Sequence, residues 1–125
     1  MVYNTIPLQQ FKSQFILLMR GGSNALHEQN ELEAQEHIER WGAYMAQLHE
    51  GQHLLGGRPL RSSGRVITKN GTTNGLVEAL NGSTVSGWLQ IQANDYNQAV
   101  ALCKDCPIFE YNGDIEIREV MPMNL

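Results

Sequence analysis

The stretch from Gly71 to Ala93, GTTNGLVEALNGSTVSGWLQIQA, decides the fold predicted for this chain. From Val85 onward, apolar and mixed residues alternate with a period of two, which is typical of a strand with one face against a core. Glycines at 71, 75, 82 and 87 allow backbone angles that other residues resist, so the part before Val85 is predicted to be an ordered loop. The Asn70-Gly71 pair is a strong hairpin signal, and it predicts that segments 64–68 and 72–77 pair with each other.

Three further strands are indicated around this stretch. The segment Ser13–Arg20 is apolar on both faces and is followed by Gly21-Gly22, which favours a central strand covered on both sides. Residues 53–60 predict an interrupted strand that Pro59 ends or places at an edge. Residues 114–121 predict the last strand, with Ile115 and Ile117 on one face and Glu116, Arg118 and Val120 on the other.

Two amphipathic helices are also predicted. The first begins near Glu33 and ends at Gly51, a glycine stop signal. The second is capped by Asn94 or Asp95 and ends before Pro107. Their apolar stripes are predicted to be Ile38, Trp41, Tyr44, Met45 and Leu48 in the first helix, and Tyr96, Ala99, Val100 and Cys103 in the second.

The order of these elements predicts one α+β domain over residues 13–125, preceded by a loose N-terminal lead-in over residues 1–12. The pattern fits a ferredoxin-like β-α-β-β-α-β arrangement with an extra hairpin, in which two helices cover one face of an antiparallel sheet. Because the first strand is apolar on both faces, the uncovered face needs a partner. A second copy of the chain is the simplest one, so we expect a homodimer.

Composition narrows the possible environments. The chain has 125 residues and a net charge of −4, with 9 basic and 13 acidic residues and no basic stripe, so we expect no binding to nucleic acid. No apolar run has the ~20 residues needed to span a membrane, and the first residues lack a signal-peptide pattern. The expected location is the cytoplasm.

Cysteine and histidine spacing gives little support to redox or metal chemistry. Cys103 and Cys106 fall at the end of a helical pattern, where the helix dipole opposes a thiolate, so we interpret them as buried thiols rather than a redox pair. None of the four histidines forms an i, i+4 pair on one helix face, because Gly51 separates His49 from His53. We expect no metal and no cofactor.

A set of short motifs together resembles a known family. The motifs are QFILLMRGG from Gln14, RWGAY from Arg40, GGRPL from Gly56, GRV from Gly64, SGWLQI from Ser86, Asp95 to Ala99, CPIF from Cys106 and GDIEIREV from Gly113. In order and spacing, over about residues 14–121, they resemble the YCII-related family, in the branch with an Asp-Gly-Pro-Phe motif. The resemblance implies a dimeric α+β barrel, in which the sheets of two protomers face each other. Some relatives are thought to be small enzymes acting on ring compounds, and others are named as transcription-initiation proteins.

The chain departs from the family at its naming motif, Asp-Gly-Pro-Phe/Tyr-x-Glu. Asn74 stands in the aspartate position, the proline is missing, and Glu78 aligns with the glutamate. An amide has no proton to exchange near neutral pH, so Asn74 cannot act as a general base. If the aspartate is catalytic in relatives, this chain is inactive or uses Glu78. If it only caps a turn, which is the interpretation we favour, Asn74 replaces it.

A second family feature, a histidine–aspartate pair around the long helix, is also missing. Aligned on Gly51, Arg40 occupies the histidine position and His49 the aspartate position. His49 is still the best-placed candidate for proton transfer, because a helix C-terminus favours the charged imidazole. The alternative is a surface histidine without a role. His49 and Glu78 are therefore the candidate catalytic residues.

Arginines near strand ends and one strand face supply the candidate ligand-binding residues. Arginines can hold a carboxylate or phenolate by paired hydrogen bonds, or instead form an ion pair with Glu116 or Glu78. An indole beside amides can form the floor of an aromatic-ligand pocket, or instead lie in a dimer interface. The candidates are Arg20, Arg58, Asn74, Trp88, Gln90 and Arg118.

Three functions remain open on these residues. The first is a homodimer that binds a small aromatic or anionic molecule, with weak or no catalysis. The second is a lyase or isomerase that acts on ring compounds by proton transfer. The third is a non-catalytic interaction protein in regulation.

Overall fold

The computed structural model describes residues 11–22 and 30–122, and these contain six strands and two α-helices. The strands are β1 (Ser13–Arg20), β2 (Leu54–Pro59), β3 (Arg65–Thr68), β4 (Gly71–Asn74), β5 (Val85–Ala93) and β6 (Asp114–Glu119). The helices are α1 (Glu31–Glu50) and α2 (Tyr96–Cys103), and a short 3-10 helix spans Pro107–Tyr111. Most of the predicted lead-in, residues 1–10, lies outside the described residues.

The main sheet has four antiparallel strands in the order β2-β5-β1-β6, and β3 and β4 form a separate two-stranded sheet. The α+β class, the antiparallel sheet, the two helices and the hairpin at Asn70-Gly71 are therefore confirmed, and the order is compatible with a ferredoxin-like arrangement. The central position predicted for β1 is also confirmed, because β5 pairs with one edge and β6 with the other.

One face of the sheet carries the core. Both α-helices and the 3-10 helix pack their buried side chains on this face, so the apolar face predicted for β5 is confirmed. The buried core consists of Phe15, Leu17 and Met19 of β1, Leu89, Ile91 and Ala93 of β5, Tyr44 and Leu48 of α1, and Ala99, Cys103, Cys106 and Ile108 from the second half of the chain.

Capping explains the limits of α1. The side-chain oxygen of Asn30 accepts a hydrogen bond from the Glu33 amide (2.8 Å), which starts the helix two residues before the predicted position. The helix ends at Gly51 as predicted, but the left-handed residue is Gln52 (φ 62°) rather than the glycine. The His53 amide donates to the Leu48 carbonyl, which completes a Schellman motif.

Two predicted helix stripes need correction. Ile38 is 63% exposed, and the buried position of that turn belongs to His37. The buried stripe of α1 is therefore His37, Tyr44 and Leu48, with Trp41 and Met45 partly buried beside it. In α2, Tyr96 and Val100 are about half exposed, and the side chains buried or partly buried against the sheet are those of Ala99, Leu102 and Cys103. The Tyr96 ring still packs edge-on against Phe15 of β1, with 5.0 Å between the ring centroids.

Several predicted strand ends were too long. The second hairpin strand stops at Asn74, because Gly75 has a φ of 121° and leaves the extended region. The last strand stops at Glu119 rather than Met121, and β2 begins at Leu54. Pro59 ends β2 at the sheet edge, as predicted.

Candidate functional site

The candidate site is the sheet face opposite the helices, which we call the open face. Strand alternation and register bring its side chains together: Leu18 pairs with Trp88 on one side and with Glu116 on the other. None of the described helices packs on it, since their buried side chains belong to the other face. The open face consists of Gln14, Ile16, Leu18 and Arg20 of β1, Arg58 of β2, Ser86, Trp88 and Gln90 of β5, and Asp114, Glu116 and Arg118 of β6.

One end of the open face is charged. Arg20 Nη2 lies 3.0 Å from Glu116 Oε1, and Arg118 Nη1 lies 3.2 Å from Glu116 Oε2. Hydrogen bonds from Arg20 and then Arg118 lower the pKa of Glu116, so the carboxylate is ionised at neutral pH. Asp114 lies beside Arg20 in register, so this end carries two guanidinium groups and two carboxylates, and Arg58 adds a further positive charge at the edge of the face. For Arg20, the ion-pair alternative is the arrangement that the structure shows.

The centre and the other end of the open face are apolar and amide-lined. Ile16, Leu18 and Trp88 are half-buried, although no described helix covers them. The Gln90 side-chain amide donates to Gln14 Oε1 at 2.8 Å. A molecule lying along this face therefore meets amides, an apolar strip and then a charged end that holds two arginines.

Gln92 follows Gln90 by strand alternation but is not available to a ligand. Its side-chain amide is buried and donates to the Gln52 carbonyl at 2.6 Å, which ties the end of β5 to the turn after α1. Its Oε1 has no hydrogen-bond partner among the described residues.

Arg58 lies at the edge of the open face, opposite Trp88 on β2. Its side chain is exposed, and its Nη1 donates to the Gly57 carbonyl at 2.6 Å. Arg20, Arg58, Trp88, Gln90 and Arg118 therefore share one surface, although they come from four different strands.

The remaining candidates lie elsewhere. His49 is exposed in the last turn of α1, Asn74 is exposed at the end of β4, and Glu78 is exposed in the loop that follows. Within the described residues, no hydrogen bond or ion pair joins His49 to Glu78, and the Asn74 side chain makes none of the hydrogen bonds expected of a turn cap. The proton-transfer pair is not assembled by contacts within this chain.

A second polar cluster, centred on His37, was not singled out by the sequence analysis. His37 is 5% exposed, and its Nε2 accepts a hydrogen bond from Trp41 Nε1 at 3.1 Å. A neutral imidazole that accepts at Nε2 carries its proton on Nδ1. That Nδ1 is buried without a hydrogen-bond partner among the described residues and lies 3.8 Å from Glu110 Oε2.

The surroundings of His37 oppose its protonation. Burial lowers its pKa, and nearby Arg40 acts in the same direction, whereas Glu110 acts against them. Glu110 is itself engaged by Arg40 Nε at 2.9 Å, and the Tyr111 ring packs edge-on against the imidazole. The i, i+4 spacing of His37 and Trp41 is the sequence signal that points to this cluster.

Cys103 and Cys106 are free and buried, which confirms the interpretation as buried thiols. Burial raises the pKa of Cys103 to about 12 and that of Cys106 to about 11, so neither side chain is a thiolate near neutral pH.

The described residues contain no group of three or more potential metal ligands. In the same ranges, 11–22 and 30–122, no helix is both long enough and apolar enough to cross a membrane.

Two comparisons with known proteins add no further constraint on this site. No protein-family model matches the chain, and no curated protein sequence matches it either.

Proposed function

We propose that this chain works as a homodimer, in which the open faces of two copies enclose a small aromatic or anionic molecule, with weak or no catalysis. The dimeric α+β barrel and the relation to the YCII-related family are part of this proposal. The observation that carries it is the half-buried apolar strip of Ile16, Leu18 and Trp88, which no described helix covers. A strip of this kind on a monomer is unusual unless it binds something.

The polar groups around the strip suggest the class of ligand. Trp88 offers a flat aromatic surface, while Arg118 is largely exposed and can turn from Glu116 towards an anion. Three arginines against the two carboxylates of Asp114 and Glu116 favour a carboxylate or a phenolate on this face, and the Gln14–Gln90 pair supplies amide hydrogen bonds at the other end. Few polar groups around an apolar floor are typical of small-molecule sites.

A lyase or isomerase is the second candidate. It requires His49 or Glu78 to move a proton while an arginine holds the anion, and the two residues are not in contact within the described chain. The third candidate, a non-catalytic interaction protein, uses the same open face without a ligand. If turnover of a ring compound were found, its loss in both His49→Ala and Glu78→Gln would favour the enzyme.

Native mass spectrometry of gently purified protein tests the proposal, because it reports stoichiometry and a retained ligand together. We expect a dimer that carries additional mass of the size of a small organic molecule. Trp88→Ala is expected to lose this mass, whereas Trp88→Phe, which keeps an aromatic ring, is expected to retain it.

Each alternative has its own outcome. A monomer would contradict the dimer, and a dimer that retains its ligand equally well in Trp88→Ala would contradict the assigned site. A bare dimer would favour the interaction protein.

A further inference from the structure

The β3–β4 hairpin, which we call the basic arm (residues 65–74), projects an apolar residue between two basic ones. Arg65 and Ile67 lie on one side of the arm by strand alternation, and Lys69 lies in the turn at its tip. Ile67 is 80% exposed, and the two strands pack principally on each other. An isolated two-stranded hairpin is only marginally stable in water, so contact with a partner surface would stabilise this element.

The charge of this region differs from that of the rest of the molecule. The chain has a net charge of −4, yet four of its nine basic residues and no acidic residue lie between Arg58 and Val77: Arg58, Arg61, Arg65 and Lys69. Within the described residues, neither Arg65 nor Lys69 forms an ion pair. A partner for the arm therefore needs negative charge next to an apolar residue.

The outward face of α1 has these properties. Leu32 is 65% exposed, and Glu36 and Glu39 follow it at four and seven residues, which places all three on one side of the helix. We call this set the acidic patch. Neither glutamate forms an ion pair in the described part of the chain, and the buried side chains of α1 lie on the opposite side.

We infer that the basic arm of one copy docks on the acidic patch of a second copy. Ile67 then buries Leu32, while Arg65 and Lys69 neutralise Glu36 and Glu39. A contact between copies is favoured because no hydrogen bond or ion pair among the described residues joins the arm to α1 of its own chain. This contact uses neither the open face nor its ligand, so it stands independently of the proposed function.

Charge reversal on each surface tests the inference. Sedimentation velocity over a range of protein concentrations measures self-association at about 0.05 M and about 0.5 M salt. All variants carry Leu18→Glu, which removes the proposed open-face contact, so that only the contact between arm and patch is measured. We expect Arg65→Glu with Lys69→Glu, and separately Glu36→Lys with Glu39→Lys, to weaken association by about tenfold or more at the lower salt concentration. Lys12→Glu with Lys104→Glu changes the net charge by the same amount as the arm reversal, at exposed residues outside both surfaces, and is expected to have no effect.

Mixing the two reversed variants gives the decisive measurement. The reversed arm and the reversed patch attract each other again, so the mixture is expected to recover the association that each variant lacks alone. Failure of the mixture to recover would overturn the inference, as would equal association of all variants.

Other binding partners of the basic arm would give different experimental results. If reversal lowers thermal stability without changing association, the arm docks on its own chain and the inference fails. If a labelled DNA or RNA oligonucleotide binds the wild type but not the reversed arm, while association is unchanged, the arm serves nucleic acid and the inference also fails.

Discussion

At the residue scale, the buried side chain of His37 links the stability of the fold to pH. It is buried, it accepts a hydrogen bond from Trp41, and its Nδ1 lies 3.8 Å from Glu110. Protonation puts hydrogen on both ring nitrogens, so the imidazole can no longer accept from Trp41. The charged form therefore loses a hydrogen bond as well as solvation.

We expect acid to destabilise the protein through His37. Its pKa is lowered in the folded state from the ordinary value of 6.5, so the unfolded chain binds the proton more readily. The contribution of His37 to the free energy of unfolding is fully present above pH 6.5. It decreases as the pH falls from 6.5 towards the lowered pKa of His37 in the folded state. Urea unfolding at pH values from about 5 to about 8 measures this loss.

The matched comparison uses two histidine variants. His37→Gln removes the buried titrating group and is expected to flatten the dependence below pH 6.5, although it costs stability at neutral pH. His49→Gln alters an exposed histidine and is expected to keep the wild-type profile. An unchanged slope in His37→Gln would contradict the assignment.

The sequence predicted the helix around His37 but not its phase. Ile38 is the more apolar residue, so hydrophobic spacing favoured it for the core. The structure instead buries His37, whose ring fits between Trp41 and Tyr111 and gains a hydrogen bond. Burial of His37 rather than Ile38 depends on the contact with Tyr111 in the 3-10 helix, which lies much later in the chain. Hydrophobic spacing within α1 gives no information about that contact.

At the element scale, the short helix α2 depends on its cap. Asp95 accepts a hydrogen bond from the Gln98 amide at 2.8 Å. The helix has only 8 residues, and the few hydrogen bonds of so short a helix do little to offset the unfavourable free energy of nucleation. Its carboxylate also lies at the positive end of the helix dipole. The cap therefore contributes a large share of the local stability of α2.

We expect Asp95→Ala to lower the free energy of unfolding by about 1 kcal/mol, the usual contribution of such a cap. Asn97→Ala is the control, because Asn97 is exposed in the first turn and alanine is the better helix former. Urea denaturation of both variants gives the comparison. Equal stabilities would show that the cap contributes nothing.

The limits of strands with a strong hydrophobic pattern were predicted to the residue, whereas the 3-10 helix, which has no such pattern, was missed. The predicted limits of β1 and of β5 are those observed, since each combines a clear apolar face with glycine or polar residues at its ends. The 3-10 helix at Pro107–Tyr111 was not predicted, because Pro107 gave only a stop signal for α2. Its role in covering His37 therefore also stayed hidden.

At the scale of the whole molecule, the open face is expected to be the main contact between copies. Leu18→Glu places a charge in its apolar strip, between Trp88 and Glu116 in register, and is expected to convert the proposed dimer to a monomer. Leu80→Glu introduces the same charge at a fully exposed loop position and is expected to leave the dimer intact. Sedimentation at micromolar concentration and about 0.5 M salt, which screens the contact between the basic arm and the acidic patch, distinguishes them. A dimeric Leu18→Glu variant under these conditions would contradict this interface.

The composition of the candidate site was only partly predictable. Alternation along β5 was enough to place Trp88 and Gln90 on one strand face, whereas Arg118 was selected as an arginine near a strand end. The bridge of Arg20 and Arg118 through Glu116 depends on the register between β1 and β6, and competing ion pairs were equally compatible with the sequence. Asn74 and Glu78 were assigned from a family resemblance and His49 from its position at the end of α1, and none of the three belongs to the four-stranded sheet.

The sheet order has a consequence for the newly made chain. The central strand β1 ends at Arg20, but its neighbours β5 and β6 begin at Val85 and Asp114. During synthesis on the ribosome, β1 is made before both of its sheet neighbours. Its two edges therefore stay unpaired until β5 and β6 have been translated. Unpaired apolar edges favour aggregation, so the protein is expected to rely on chaperones that shield β1 until β5 emerges.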